Sequence, residues 1–396
     1  VSNDGFAQDR LARMRSAMAG HVERGALPGL VALVARRGET HAEAIGAVAV
    51  GGAPMQRDAI FRIASITKPI VAAAAMTLVE ECVLRLDDPV DGLLPELADR
   101  TVLRAFDGPL ADTVPAHRPI TLRDLLTFRL GYGVVFAPTP FAAAMAEAGL
   151  VPGGTAGENG PDEYLRRLGA LPLAHQPGER WLYGHGANVL GILIARATGR
   201  SLGAVLQERI FAPLGMADTA FSVPANKLDR LATAYRTNPE SGQPEVIAGA
   251  DGPFARPPAF EAGAGGLVST AADLLAFGEM MLGGGEFRGN RVLSRPAVAL
   301  MTTDQITPGQ KAASPFFPGF WDTRGWGFGL AVVTRRDGLA DTPGRYGWFG
   351  GGGASWYVDP HEELIGVLLT QLQVDSPHWP AIENDFWVSA YQALAD

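Results

Sequence analysis

The chain has 396 residues, 47% of them hydrophobic and 19% charged, a balance that suits a globular protein with a sizeable core and excludes a disordered or fibrous one. Its net charge of −9 argues against a nucleic-acid partner, and no window reaches the roughly 18 uninterrupted apolar residues of a membrane span. A single cysteine, Cys82, excludes an internal disulfide, and the seven histidines lack the spacing of a zinc site.

The opening "VSNDGFAQDRLARM" has no basic-then-apolar export pattern. A cytoplasmic location is therefore expected, or a periplasmic or secreted one if a leader has been removed. Residues 8–24 place Leu11, Met14, Met18 and Val22 on one stripe, which predicts a helix ended by Gly25. "GLVALVARRGETHAEAIGAVAV" reads as two strands about a turn at Arg37-Gly38, and "AIFRIAS" as a short third strand. Ser65 is expected to cap the next helix, which tolerates Pro69 near its start and runs to about Cys82.

The middle of the chain predicts helices at "ITLRDLLTF", "ANVLGILIARATG", "LGAVLQERIFAPLGM" and "STAADLLAFGEMML", separated by long loops at 132–160 and 222–262. From about residue 326 the period returns to two. "WGFGLAVVTRR", "RYGWFGGG", "ASWYVDP" and "LIGVLLTQL" read as consecutive antiparallel strands, and "AIENDFWVSAYQALA" as a closing helix. The economical architecture is an α/β (α+β) fold. One antiparallel sheet of N- and C-terminal strands (residues 1–82 and 326–396) is flanked by helices, with a mostly helical insertion at 83–325.

The stretch "FRIASITKPIVAAAAMTLVEE" sets Ser65 and Lys68 three residues apart at the start of an apolar helix. Of 33 basic residues only three are lysines, Lys68, Lys227 and Lys311, so a lysine entering a buried helix carries information. Composition alone predicts about 0.1 Ser-x-x-Lys pairs in such a chain. Residues three apart share a helix face, and the positive helix N-terminus favours a neutral amine and a developing oxyanion. Arginine holds its proton, whereas a desolvated lysine can accept one and activate a serine. The bland alternative is a capping serine followed by a surface lysine.

Ser-x-x-Lys is the signature of penicillin-binding proteins and β-lactamases. The chain resembles the class C β-lactamase and D-alanyl-D-alanine peptidase superfamily, particularly its carboxylesterase branch, the family VIII esterases. "RIASITKPIVAAAAM", "LRLDDPVDGLLPEL", "ITLRDLLTF", "PGERWLYGHGANVLGILIARATGRSL", "IFAPLGMADTAF" and "GGLVSTAADLLAF" carry the resemblance in family order across about residues 10–390. It implies a β-lactamase/DD-peptidase-like fold and a cofactor-independent serine hydrolase that forms an acyl-enzyme.

The resemblance also implies roles. In "WLYGHGAN", Tyr183 stands for the family tyrosine that moves protons with Lys68, although a packed aromatic would read the same way. His185 replaces the usual asparagine of that triplet; it would bond substrate, bond Lys68 or hold the loop. Trp348, Phe349 and Gly350 occupy the places of the β-lactamase Lys-Thr-Gly, and the amides of Ser65 and Gly351 would form the oxyanion hole. Without that lysine, and with the Trp348 indole offering apolar area to a substrate in its place, an uncharged ester is the expected small-molecule substrate. A β-lactamase, a D-amino-acid peptidase or amidase, an acyltransferase and a silent penicillin sensor are the alternatives. "GRSLG" at 199–203 matches a hydrolase elbow but follows a helix, so Ser201 is expected to be a cap. The aromatic run "SPFFPGFWDTRGWGFG" would line a pocket or pack a loop. No phosphate loop, metal cluster or dinucleotide fingerprint is present, so no cofactor or metal is expected.

Overall fold

The computed structural model describes residues 5–150, 159–374 and 380–395. In chain order its principal elements begin with helix α1 (Gln8–Glu23) and strands β1 (Gly29–Arg36) and β2 (Glu39–Gly46). Helices α2 (Thr67–Glu80), α3 (His185–Thr198) and α4 (Ala271–Leu282) follow. Strands β3 (Arg324–Trp326), β4 (Ala331–Val333), β5 (Tyr346–Gly350), β6 (Ala354–Asp359) and β7 (Leu364–Thr370) precede the closing helix α5 (Ala381–Gln392). The seven strands form one antiparallel sheet in the order β3-β4-β5-β6-β7-β1-β2.

The β1–β2 hairpin closes on Arg37 and Gly38, both at positive φ (49° and 83°), the twist a two-residue turn needs. β1 is an unbroken apolar run because both its faces are covered. Leu30, Ala32 and Val34 pack with Leu11, Met14 and Met18 of α1 and with Phe386 and Trp387 of α5. Val31, Leu33 and Ala35 turn the other way, into the core that holds Phe277 of α4, Trp356 and Ile365. Each fully buried side chain of this kind contributes about 1.5–3 kcal/mol of transfer free energy. α2 is buried along Thr67–Leu78, which explains why its sequence is apolar on every side.

Several expectations are corrected by the structure. Ser65 does not cap α2. It sits inside a 3₁₀ turn, Ala64–Ile66, and the cap position, Ile66, makes no side-chain cap bond. Phe61–Arg62 is a strand, but it pairs with Val268–Ser269 outside the main sheet. "WGFGLAVVTRR" is two strands, β3 and β4, because the chain reverses through Gly327 and Gly329 and pairs Trp326 with Ala331. The 132–160 loop contains a helix, Pro140–Glu147, capped by the Thr139 hydroxyl; its residues 151–158 lie outside the described residues. The 222–262 loop contains a hairpin, Ala234–Thr237 with Pro244–Ala248. Helix α4, although it belongs to the 83–325 stretch, packs on β1, β6 and β7.

Candidate active site

The site is built around the turn that links Phe61–Arg62 to α2. Ala64 adopts φ 43°, a left-handed conformation worth about 1–3 kcal/mol of strain for a residue with a Cβ. The surroundings hold it there. The amide of Ile63 donates to the Leu267 carbonyl at 3.1 Å, and the end of β5 runs against the turn from the other side. A Cβ at Gly350 would stand 2.2 Å from the Ile63 carbonyl oxygen, and one at Gly352 would stand 2.8 Å from that of Arg62. Only glycine lets the strand come this close. At Gly351, between them, a Cβ would meet nothing within 4 Å.

This strained turn directs Ser65 toward Lys68 one turn on, with Nζ 2.8 Å from Ser65 Oγ. Lys68 is 2% exposed, and its other hydrogen-bond acceptor is the Ala264 carbonyl at 2.5 Å. Both partners are uncharged. Burial pushes the Lys68 pKa down from 10.5 to about 7, so a large fraction is the free amine near neutrality. The turn that supplies Ala264, at 263–265, is locked in place: Leu267 N–H donates to Thr67 Oγ1 at 3.2 Å, and Ala264 N–H donates to Asn188 Oδ1 at 2.8 Å.

Tyr183 comes from the turn that opens α3, where Gly184 takes φ 105°. Its hydroxyl accepts the indole N–H of Trp348 at 2.7 Å and lies close enough to the Ser65 hydroxyl for the two to interact. Burial raises the Tyr183 pKa above the usual phenol range, and the bonds from Ser65 and Trp348 pull it back in part, so Tyr183 is neutral at pH 7. Lys68 Nζ lies 4.6 Å from the centre of its ring. The aromatic run at 314–329 packs here: Phe316 and Trp326 touch Tyr183, with ring centres at 5.4 and 6.1 Å, beside Trp181, Phe128 and Trp348. Phe316 and Phe317 are only half-buried, and they meet the exposed Phe136. The run therefore packs Tyr183 and leaves partly exposed apolar surface at Phe316 and Phe317.

Two sequence expectations change. Trp348 is fully buried, so its indole offers no apolar area to a substrate; it positions Tyr183 instead. The half-buried Phe349, next to Phe317, is the aromatic at that end of β5 with exposed surface. His185 is 3% exposed and does not bond Lys68; its Nδ1 meets the Tyr164 hydroxyl at 2.7 Å, while its buried Nε2 has no hydrogen-bond partner among the described residues. Burial first, then the nearby Lys68, lowers its pKa to about 4, which leaves it neutral. Ser201 caps the next short helix, accepting the Ala204 N–H at 3.2 Å, away from this cluster. Among the described residues no group of three or more His, Cys, Asp or Glu could hold a metal ion, and no single helix is long and apolar enough to cross a membrane.

The residues that sequence reasoning missed are Ala264, Asn188 and Tyr164. The small-residue run "GAGG" at 263–266 hinted at a close approach, and a Cβ at Gly263 would stand 2.4 Å from the Ala187 carbonyl oxygen. Nothing in the sequence pointed to Tyr164.

Comparison with known proteins gives the family of the chain. The family model described as Beta-lactamase matches residues 14–383. Protein Rv1367c of Mycobacterium tuberculosis is 42% identical over 328 residues, covering 81% of this chain and 79% of that protein. Esterase EstB of Burkholderia gladioli is 33% identical over 378 residues, covering 89% and 88%. The solved structure of EstCE1, a hydrolase with promiscuous acyltransferase activity, superposes with a TM-score of 0.78 at 26% identity over 97% of this chain and 99% of that one. With a match to the family model over nearly its whole length, this chain belongs to the beta-lactamase family.

Proposed function

We propose that the protein is a serine esterase that cleaves neutral carboxylic esters through an acyl-enzyme. The observation that carries the reading is the buried Lys68 amine 2.8 Å from Ser65 Oγ, with no charged partner to keep it protonated. In this mechanism the Ser65 oxygen forms a bond to the ester carbonyl carbon while its proton passes to Lys68. The amides of Ser65 and Gly351 receive the oxyanion. Tyr183, whose hydroxyl is shared with Ser65, delivers a proton to the departing alkoxide, and water then attacks the acyl group by the same route in reverse.

The preference for a neutral ester rests on the missing cation. Where the β-lactamases carry a lysine this chain carries Trp348, an uncharged donor already used by Tyr183. The half-buried Phe316, Phe317 and Phe349 make the nearby surface apolar. The esterase relatives at similar length support the same class.

A panel of p-nitrophenyl esters beside a chromogenic cephalosporin tests the reading. The expected result is turnover of the esters, little of the cephalosporin, and near-complete loss in Ser65→Ala. A fluorophosphonate should label Ser65. Labelling at Ser201, or a faster cephalosporin, would overturn it. The acyltransferase activity printed for EstCE1 supports a second outcome, transfer of the acyl group to an alcohol, which product analysis with an added alcohol distinguishes from hydrolysis.

A further inference from the structure

We infer that Asn188 and Tyr164 are positioning residues for Lys68, acting through the backbone of Ala264, whose N–H is held by Asn188 and whose carbonyl, in the next peptide along, accepts from Lys68. This rests on the serine–lysine reading above. A neutral amine has two N–H donors and one lone pair, and only the lone pair can take the serine proton. The Ala264 carbonyl, 2.5 Å from Nζ, engages one N–H and so turns the lone pair toward Ser65 Oγ. Whatever fixes that carbonyl therefore sets how well Lys68 works as a base.

The fixing chain has a direction that its donors dictate. Ala264 N–H can only donate, so the Asn188 atom it meets at 2.8 Å is the amide oxygen, and the amide nitrogen faces the other way. That nitrogen donates to the Tyr164 oxygen at 3.3 Å. Tyr164 in turn shares a hydrogen bond of 2.7 Å with His185 Nδ1, whose direction follows the histidine tautomer. The Asn188 amide has one orientation, since flipping it would face the Ala264 N–H with a second donor. Asn188 sits in the first turns of α3, five residues after Tyr183, so the same element aligns both the tyrosine and the lysine's acceptor. Tyr164 is buried, and the ring of Phe260 packs on it with centres 5.0 Å apart. The ionisable groups facing this region are Lys68, Tyr183, Tyr164 and His185.

The test is steady-state kinetics of p-nitrophenyl ester hydrolysis as a function of pH, with thermal unfolding alongside, on Asn188→Leu, Asn188→Asp and Tyr164→Phe. Asn188→Leu should lower kcat by about 10-fold or more with KM within about 3-fold. It should also move the acid limb of kcat/KM to lower pH, because the ammonium loses a fixed acceptor. Asn188→Asp keeps an oxygen for the Ala264 N–H and can accept the Tyr164 proton, so it should recover most of kcat, with the acid limb moved to higher pH by the added carboxylate. Tyr164→Phe, which deletes one hydroxyl and spares the fold, should give a weaker form of the leucine effect. The inference is overturned if Asn188→Leu or Tyr164→Phe lowers the melting temperature while kcat and the acid limb stay at wild type. It is overturned equally if Asn188→Asp is no better than Asn188→Leu. Full activity in Lys68→Met would instead sink the serine–lysine reading itself, so the two failures are told apart.

Discussion

Lys68→Met replaces a buried amine by an uncharged side chain of similar length, and it should make the protein more stable while removing its activity. Lowering the Lys68 pKa from 10.5 to about 7 corresponds to roughly 5 kcal/mol, at about 1.4 kcal/mol per pH unit. The sign follows from proton counting. Between pH 7 and 10.5 the unfolded chain binds this proton and the folded one does not, so stability rises with pH across that window. Below pH 7 both states are protonated and the full penalty of burying the ammonium is present. Integrating between pH 6 and pH 9, the penalty falls by roughly 2.5 kcal/mol. Methionine has no such dependence. It does leave the Ala264 carbonyl without its donor, a loss of about 1 kcal/mol that is the same at both pH values. Urea unfolding of wild type and Lys68→Met at pH 6 and pH 9 measures the difference directly. The methionine variant should be more stable at pH 6, and its advantage should shrink by roughly 2.5 kcal/mol at pH 9. A gap of equal size at the two pH values would refute a lowered lysine pKa, and with it the reason for giving Lys68 the role of base.

The remaining predictions concern the rest of the site. kcat/KM for a neutral ester should rise through a limb near pH 7 as Lys68 loses its proton; a flat profile from pH 5.5 to 8.5 would argue against an amine base. Trp348→Phe keeps most of the packing but deletes the only donor that Trp348 offers to the Tyr183 oxygen, so kcat should fall about 10-fold with little change in KM; wild-type kcat would show that the bond does nothing for the reaction. Gly350→Ala should destabilise the protein and remove activity together, since its Cβ would overlap the Ile63 carbonyl and displace the serine turn; melting temperature and ester turnover report both. Ser201→Ala should retain turnover and lose about 1 kcal/mol of stability as a helix cap in chemical unfolding.

The parts of this protein that could be read from sequence are those set by local spacing. Ser65 and Lys68 are legible because three residues on a helix make one face, and the β1–β2 turn because Arg37-Gly38 lies between two strand-forming runs. Ser201 reads as a cap because Gly199 ends a helix just before it, and it occupies that cap position in the structure. The cap assigned to Ser65 failed for a reason no local rule contains. The turn is held in a left-handed conformation by Leu267 and by the glycines of β5, some 200 and 285 residues further along the chain. The same distance hid the acceptor of Lys68, which is 196 residues away, and the partner of Tyr183, which is 165 residues away.

Trp348 shows what such a gap does to a functional argument. The period of a strand places Trp348 and Gly350 on one face, and Gly350 abuts the serine turn. The indole at 348 therefore points under the site, where Tyr183 stands, and is sealed from solvent. The proposed preference for a neutral substrate therefore has a different cause. It does not come from apolar contact between indole and ester. It comes from the substitution of a charged donor by an uncharged one: the indole N–H still steadies the Tyr183 oxygen, as an ammonium at that place would, yet brings no positive charge that a substrate carboxylate could pair with. Because the indole is walled in by Trp326, Phe320 and Tyr183, a lysine put back at 348 would be desolvated among aromatic rings and would lose its charge before it met a substrate. Restoring a preference for anionic substrates therefore needs the aromatic wall opened as well as the cation restored, so Trp348→Lys alone should gain nothing on a cephalosporin.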